Sequence, residues 1–110
     1  MSRTGLFTVI VSFETTPDNQ QRALDEIGAY IEDFLSQQPG FLQSWLHRSL
    51  DGTSLAHYAL WRSDADFKAA GEKARQHPAL PALMQYKPSG RQFEVWREFG
   101  GTEEETQRGR

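Results

Sequence analysis

Thr53 to Arg62 reads Thr-Ser-Leu-Ala-His-Tyr-Ala-Leu-Trp-Arg and, as an extended strand, is mainly apolar on both of its faces. Side chains alternate along a strand, so Leu55, His57, Ala59 and Trp61 share one side while Ala56, Tyr58 and Leu60 share the other. Such a strand has no face to give to water and belongs inside a sheet that is covered on both sides. A chain of 110 residues has enough material for one modest core and too little for two. Its own helices can cover one face; a second copy of the chain is the economical cover for the other.

The flanking segments indicate what pairs with this strand. Leu6 to Glu14 places Phe7, Val9, Val11 and Phe13 at alternate positions, the pattern of a strand with one buried face. Phe41 to Leu50 reads as another strand. Asp51-Gly52 follows it as a tight-turn pair, so it is expected to lie antiparallel to the Thr53–Arg62 segment. Arg91 to Phe99 is a fourth strand, with Phe93, Val95 and Phe99 opposite Glu94, Trp96 and Glu98. Between the first two strands, Ala23, Leu24, Ile27, Tyr30, Ile31, Phe34 and Leu35 recur at three- and four-residue steps and form one helical stripe. Thr16 or Asp18 is placed to cap that helix, and Pro39-Gly40 stops it. Ser63 can cap a second helix whose apolar side starts at Phe67 and Ala70. Pro78 and Pro81 should break that helix into two pieces with a mobile loop between Gly71 and Pro88.

The order strand, helix, strand, strand, helix, strand is that of a ferredoxin-like split βαβ fold, an α+β antiparallel sheet with its helices on one face. Residues 1–100 are expected to form that domain, and 101–110, which lack periodic apolar positions, a disordered tail.

Composition narrows the function classes. A hydrophobic share of 37% and a charged share of 25% fit a folded globular chain rather than a disordered one. The formal charge of -3 and the scattered Lys and Arg residues argue against nucleic acid and membrane surfaces as partners. There is no cysteine, which removes thiolate catalysis and thiolate metal sites. The apolar run Leu6–Val11 is too short to span a membrane and lacks a signal-cleavage pattern, so a cytoplasmic location is expected. His47, His57 and His77 share no metal-ligand spacing, and no metal is expected.

The Leu55–Trp61 row is the best functional lead. His57 can exchange a proton near neutral pH, Trp61 offers a flat apolar wall, and Ala59 leaves a gap roughly 13 Å long between them. A flat organic ligand suits such a gap. Each residue also has a plain packing role: a core imidazole satisfied by neighbours, a core indole. Phe67 and Tyr58 read as packing residues. Tyr86 either donates a hydrogen bond to a ligand or covers the core edge. Arg75 and Lys73 either hold a substrate anion or belong to a solvated helix face with Glu72.

Pro39-Gly40-Phe41, the Asp51-Gly52-Thr53 turn, and Tyr58-Ala59-Leu60-Trp61-Arg62-Ser63 followed by Phe67 resemble the antibiotic biosynthesis monooxygenase family of dimeric α+β barrels, over about Leu6 to Phe99. The resemblance implies a homodimer with sheets packed face to face and a ligand pocket between sheet and helices in each subunit. It implies oxidation of a phenolic or polycyclic aromatic by O2 with no cofactor. It makes Trp61 the pocket tryptophan, and places asparagine where His57 stands and tyrosine where Phe67 stands. On that reading His57 is the base that takes a phenolic proton, and Trp61, Phe67, Tyr86 and Arg75 are the substrate contacts. The alternatives are a non-catalytic binding or stress-response module with the same pocket, and a haem-binding or haem-degrading protein with His77 as ligand.

Overall fold

The computed structural model describes residues 2–102. The greater part of the expected tail, 103–110, lies outside the described residues. The chain forms β1 (Phe7–Glu14), α1 (Gln20–Asp33), a 3-10 turn (Leu35–Gln37), β2 (Phe41–Arg48), β3 (Ser54–Trp61), α2 (Asp64–Ala74), α3 (Leu80–Met84) and β4 (Ser89–Glu94). The strands make one antiparallel sheet in the order β2-β3-β1-β4. This is the ferredoxin-like α+β arrangement read from the element order.

The doubly apolar strand is internal, as its composition requires: β3 lies between β2 and β1. Its odd positions and those of β1 face the helices. Phe13 and Leu55 pack with Ala23 and Ile27 of α1 and Leu83 of α3, while Val9, Ala59 and Trp61 pack with Ala70 of α2. The core is therefore two clusters under two helical regions. Val11 touches both clusters, and it is the residue paired with His57 across the β1–β3 ladder.

Local chemistry explains the departures from expectation. Asn19 is the N-cap residue of α1; Thr16 and Asn19 bond reciprocally, Thr16 N to Asn19 Oδ1 at 2.8 Å and Asn19 N to Thr16 Oγ1 at 3.3 Å. At the other end Phe34 leaves helical geometry, so Leu35 enters the core from the 3-10 turn rather than from α1. Ser63 caps α2 as expected, its hydroxyl accepting from Asp66 N at 3.1 Å. The prolines do break the second helical region, and Pro81 lies in the first turn of α3, where its missing N–H costs nothing. β4 starts two residues earlier than the sequence suggested and ends at Glu94, which faces Phe7 at the beginning of β1. Beyond that point Gly5 N donates to Val95 O and Val95 N to Leu6 O, and Arg3 N meets the Glu98 carboxylate rather than a backbone carbonyl.

The β2–β3 connection is wider than a two-residue hairpin. Ser49 N donates to Ser54 O at 2.9 Å and Gly52 N to Ser49 O at 3.2 Å. Gly52 takes φ +82, whereas Asp51 stays at negative φ and uses its carboxylate to accept from Thr53 N at 3.0 Å, Thr53 Oγ1 at 2.7 Å and Ser49 Oγ at 2.8 Å. Those bonds, with Thr53 foremost, hold the Asp51 carboxyl below the usual carboxylate range. A Cβ on Gly52 would sit 2.9 Å from Pro17 Cα, so both the backbone angle and the close approach demand glycine. Gly52→Ala is expected to lower the unfolding free energy by about 1–2 kcal/mol or more in urea titration. Gly28→Ala, in α1 with open space around the new methyl group, is expected to raise it by about 0.5–1 kcal/mol.

Candidate active site

Between the two core clusters the packing is incomplete, and a cavity of about 210 Å³ remains. Val11 and Phe13 of β1 and His57 of β3 form its floor, and Ile27, Tyr30 and Ile31 of α1 one wall. Leu35, Phe67, Leu80, Leu83 and Pro88 close it from the remaining sides. His57 and Tyr30 are the only polar side chains in that lining.

His57 is 5% exposed, and its Nε2 is buried without a hydrogen-bond partner among the described residues. A buried polar atom left unpaired costs about 1–3 kcal/mol, which makes Nε2 a costly point in an otherwise apolar surrounding. Burial alone pushes the His57 pKa down from 6.5 to about 4. The imidazole is thus neutral at physiological pH. Burial also raises the Tyr30 phenol above its ordinary range, keeping it protonated.

The other residues singled out from the sequence fall at different distances from this cavity. Phe67 lines it. Trp61, 1% exposed, does not reach the lining: it meets Phe67 edge-on with ring centres 5.6 Å apart and Phe41 at 5.2 Å, and so backs Phe67 from inside the second cluster. The imidazole and indole therefore share a sheet face but not one hollow, because Ala59 between them is covered by the second cluster. Tyr86 is also outside the lining. It is 1% exposed, donates its hydroxyl hydrogen to Glu26 Oε1 and accepts from Arg22 Nε at 3.2 Å. Burial and the Glu26 carboxylate hold its phenol above the usual range, against the opposing effect of Arg22. It serves as a clamp between α1 and the segment that follows α3. Arg75 lies outside on α2's C-cap, ion-paired with Glu72 at 2.7 Å. Together with Phe67, Lys68, Gly71 and Gln92 this pair borders a separate groove of about 440 Å³. Lys73 is exposed in the last turn of α2.

His77 is half-buried, packed against Tyr30 and Phe34 at ring-centre distances of 5.2 and 4.7 Å, with Nδ1 accepting from Ala79 N at 3.0 Å. No group of three or more His, Asp or Glu side chains among the described residues is placed to hold a metal ion. Among the same residues no helix is long and apolar enough to cross a membrane.

Tyr30, Leu80, Leu83 and Pro88 reach the cavity although nothing in the sequence singled them out as site residues. Tyr30 carried the one usable signal, a polar tip inside an otherwise apolar helical stripe.

The depressed His57 pKa makes a signed prediction. Between pH 6.5 and 4 the unfolded chain binds a proton that the folded chain refuses, so stability held in full above about pH 6.5 is lost as the pH falls through that window. Relative to His57→Leu, the parent protein should lose on the order of 3 kcal/mol across the window, measured by urea unfolding at stepped pH. Parallel curves for the two proteins would mean that His57 is not held neutral by the fold.

Three comparisons place the chain among known proteins. Residues 6–79 match the family model for antibiotic biosynthesis monooxygenase. The tetracenomycin-F1 monooxygenase of Streptomyces glaucescens is 34% identical over 101 residues, covering 91% of this chain and 90% of that protein. The crystal structure of the monooxygenase from the gene ActVA-Orf6 of Streptomyces coelicolor, in complex with nanaomycin D, superposes with a TM-score of 0.76 at 23% identity, covering 91% of this chain and 95% of that one. SnoaB, a cofactor-independent oxygenase from Streptomyces nogalater, does so with a TM-score of 0.71 at 21% identity over 88% of this chain and 99% of its own. The two structural likenesses establish the shared fold, and the family match over most of the domain, with the relative above 30% identity, establishes kinship. The chain belongs to the antibiotic biosynthesis monooxygenase family.

Proposed function

We propose that this protein is a cofactor-independent monooxygenase that oxidises a phenolic aromatic with O2 in the cavity beside His57. The observation that carries the reading is a neutral His57 lining an otherwise apolar cavity, its Nε2 without a partner among the described residues. Kinship with a tetracenomycin-F1 monooxygenase supports an aromatic substrate of that general kind.

The chemistry follows from the site. A phenol is a poor electron donor to O2 and its anion a good one, so the step needing help is removal of the proton. Neutral His57 accepts it, and the imidazolium formed is paired at once with the phenolate, which offsets the burial that otherwise keeps the ring uncharged. The anion gives one electron to O2, the two radicals join at a ring carbon as a peroxide anion, and the His57 imidazolium returns its proton to make the hydroperoxide. Loss of water then leaves a carbonyl. In sum a phenol and O2 give a quinone and one water, with the substrate supplying all the electrons. The apolar walls exclude bulk water from the anion, and Phe67, backed by Trp61, supplies a flat surface for the ring.

The active form we propose is a homodimer. The sheet face away from the helices carries Ile10, Trp45 and Tyr58, and near it Phe93, Trp96 and Phe99 are 43%, 76% and 71% exposed. That much apolar surface on one side of a small chain calls for a partner, and a second sheet of the same kind is complementary to it. The setting proposed is the cytoplasm, where a chain without cysteine loses nothing to reducing conditions.

With tetracenomycin F1 or a simpler hydroxylated anthrone as substrate, the parent protein should consume O2 at an oxygen electrode, undiminished by a metal chelator. His57→Ala should lower kcat about 10²–10⁴-fold, and turnover equal to the parent's would remove the base. In sedimentation the parent should run as a dimer and Tyr58→Asp as a folded monomer; a monomeric parent would remove the proposed assembly.

A further inference from the structure

The cavity has one polar side chain on its sheet floor, His57, and one on its helical wall, Tyr30 of α1. We infer that the Tyr30 hydroxyl donates a hydrogen bond to the oxygen of the bound phenol and stabilises the anion left when His57 takes the proton. This rests on the monooxygenase reading above and names a second residue of the same site.

Two tyrosines packed in the first core cluster are treated differently by the fold. The Tyr86 hydroxyl is engaged twice, donating to Glu26 and accepting from Arg22. The Tyr30 hydroxyl has no hydrogen-bond partner among the described residues, and burial is what raises its pKa, so the proton stays in place at neutral pH. Its ring is nonetheless held. Phe34 packs on it at a ring-centre distance of 5.4 Å, and His77 meets it edge-on at 5.2 Å. His77 is fixed in turn, its Nδ1 accepting from Ala79 N at 3.0 Å. A donor placed in this way can serve a ligand without first giving up a bond inside the protein.

The proton step calls for such a donor. The phenol O–H bond breaks and its proton goes to the imidazole, while the oxygen keeps the electron pair and a full negative charge. That oxygen then has more lone pairs than a single imidazolium N–H can meet, and leaving them bare in an apolar cavity is costly. Ile31, Leu35, Leu80 and Pro88, half-buried like Tyr30 on the helical side, have no side-chain donor to offer. Among the described residues the lining holds no Lys or Arg either. Tyr30 keeps its own O–H bond throughout and donates without transferring the proton. Being neutral, it holds the anion less tightly than a cation would, which leaves the ring electron-rich enough to react with O2.

Titration with 1-naphthol tests this, with fluorescence reporting the Kd, absorbance reporting ionisation of the bound ligand, and naphthalene serving as the ligand without oxygen. Tyr30→Phe keeps the ring contacts and removes the donor. It should raise the pKa of bound naphthol by about one unit and its Kd up to about tenfold, with the naphthalene Kd unchanged. Circular dichroism melts confirm that the variant is folded. Equal naphthol values for the parent and Tyr30→Phe would overturn the role of the hydroxyl and leave the His57 reading standing. A naphthalene Kd that rises as much as the naphthol Kd would overturn it too, since the effect would then be one of packing. If naphthol fails to bind the parent, or its bound pKa is the same after His57→Ala, the His57 reading falls and this inference with it.

Discussion

The β1–β3 ladder decides everything about this site. It sets Val11 against His57, Phe13 against Leu55 and Phe7 against Trp61, so that the large apolar residues of both strands stack in two groups under two helical regions. His57 falls at the seam between the groups, where the cavity lies. A register slip of one residue would turn the same imidazole to the opposite face of the sheet, among Ile10, Trp45 and Tyr58. The position of the unpartnered Nε2 is thus a consequence of strand pairing rather than of any local motif.

The helical side of the cavity depends on breaks. Phe34 ends α1 and lets Leu35 fold inward; Pro78 and Pro81 divide the second helical region so that a five-residue helix can double back over the sheet. That helix brings Leu80 and Leu83 to the cavity, and the turn after it brings Pro88. Tyr86 ties the turn down through Glu26 and Arg22, and Lys87 takes φ 50, an angle that a side chain adopts only when its surroundings insist. A continuous α2 would carry these residues away from the sheet. The cavity exists because the sequence prevents its helices from running straight.

Apolar surface is divided between two tasks. One sheet face is consumed by the helices and the cavity, while the other, with Trp45 and Tyr58 in edge-on contact at 5.9 Å, is left half-covered. Neither can be converted to the other's purpose, since alternate residues along each strand are committed to opposite sides. A change that fills the inner face closes the cavity, and a polar residue on the outer face leaves the helical side untouched.

The strands, the helical stripe, the Ser63 cap and the proline break could be read from the chain itself, because alternation, three-and-four spacing and the missing N–H of proline act within a few residues. His57 and Phe67 were visible for a similar reason, being unusual side chains at predictable places on a strand and a helix. Tyr30, Leu80 and Pro88 were not, since their approach to His57 depends on how α1 and α3 cross the sheet, which no local spacing encodes. Trp61 shows the limit most clearly: it shares a face with His57, as alternation required, yet Phe67 stands between it and the cavity. Sequence settles which face a residue takes, because that is covalent geometry; whether the space in front of it is filled or empty is settled only when distant segments pack.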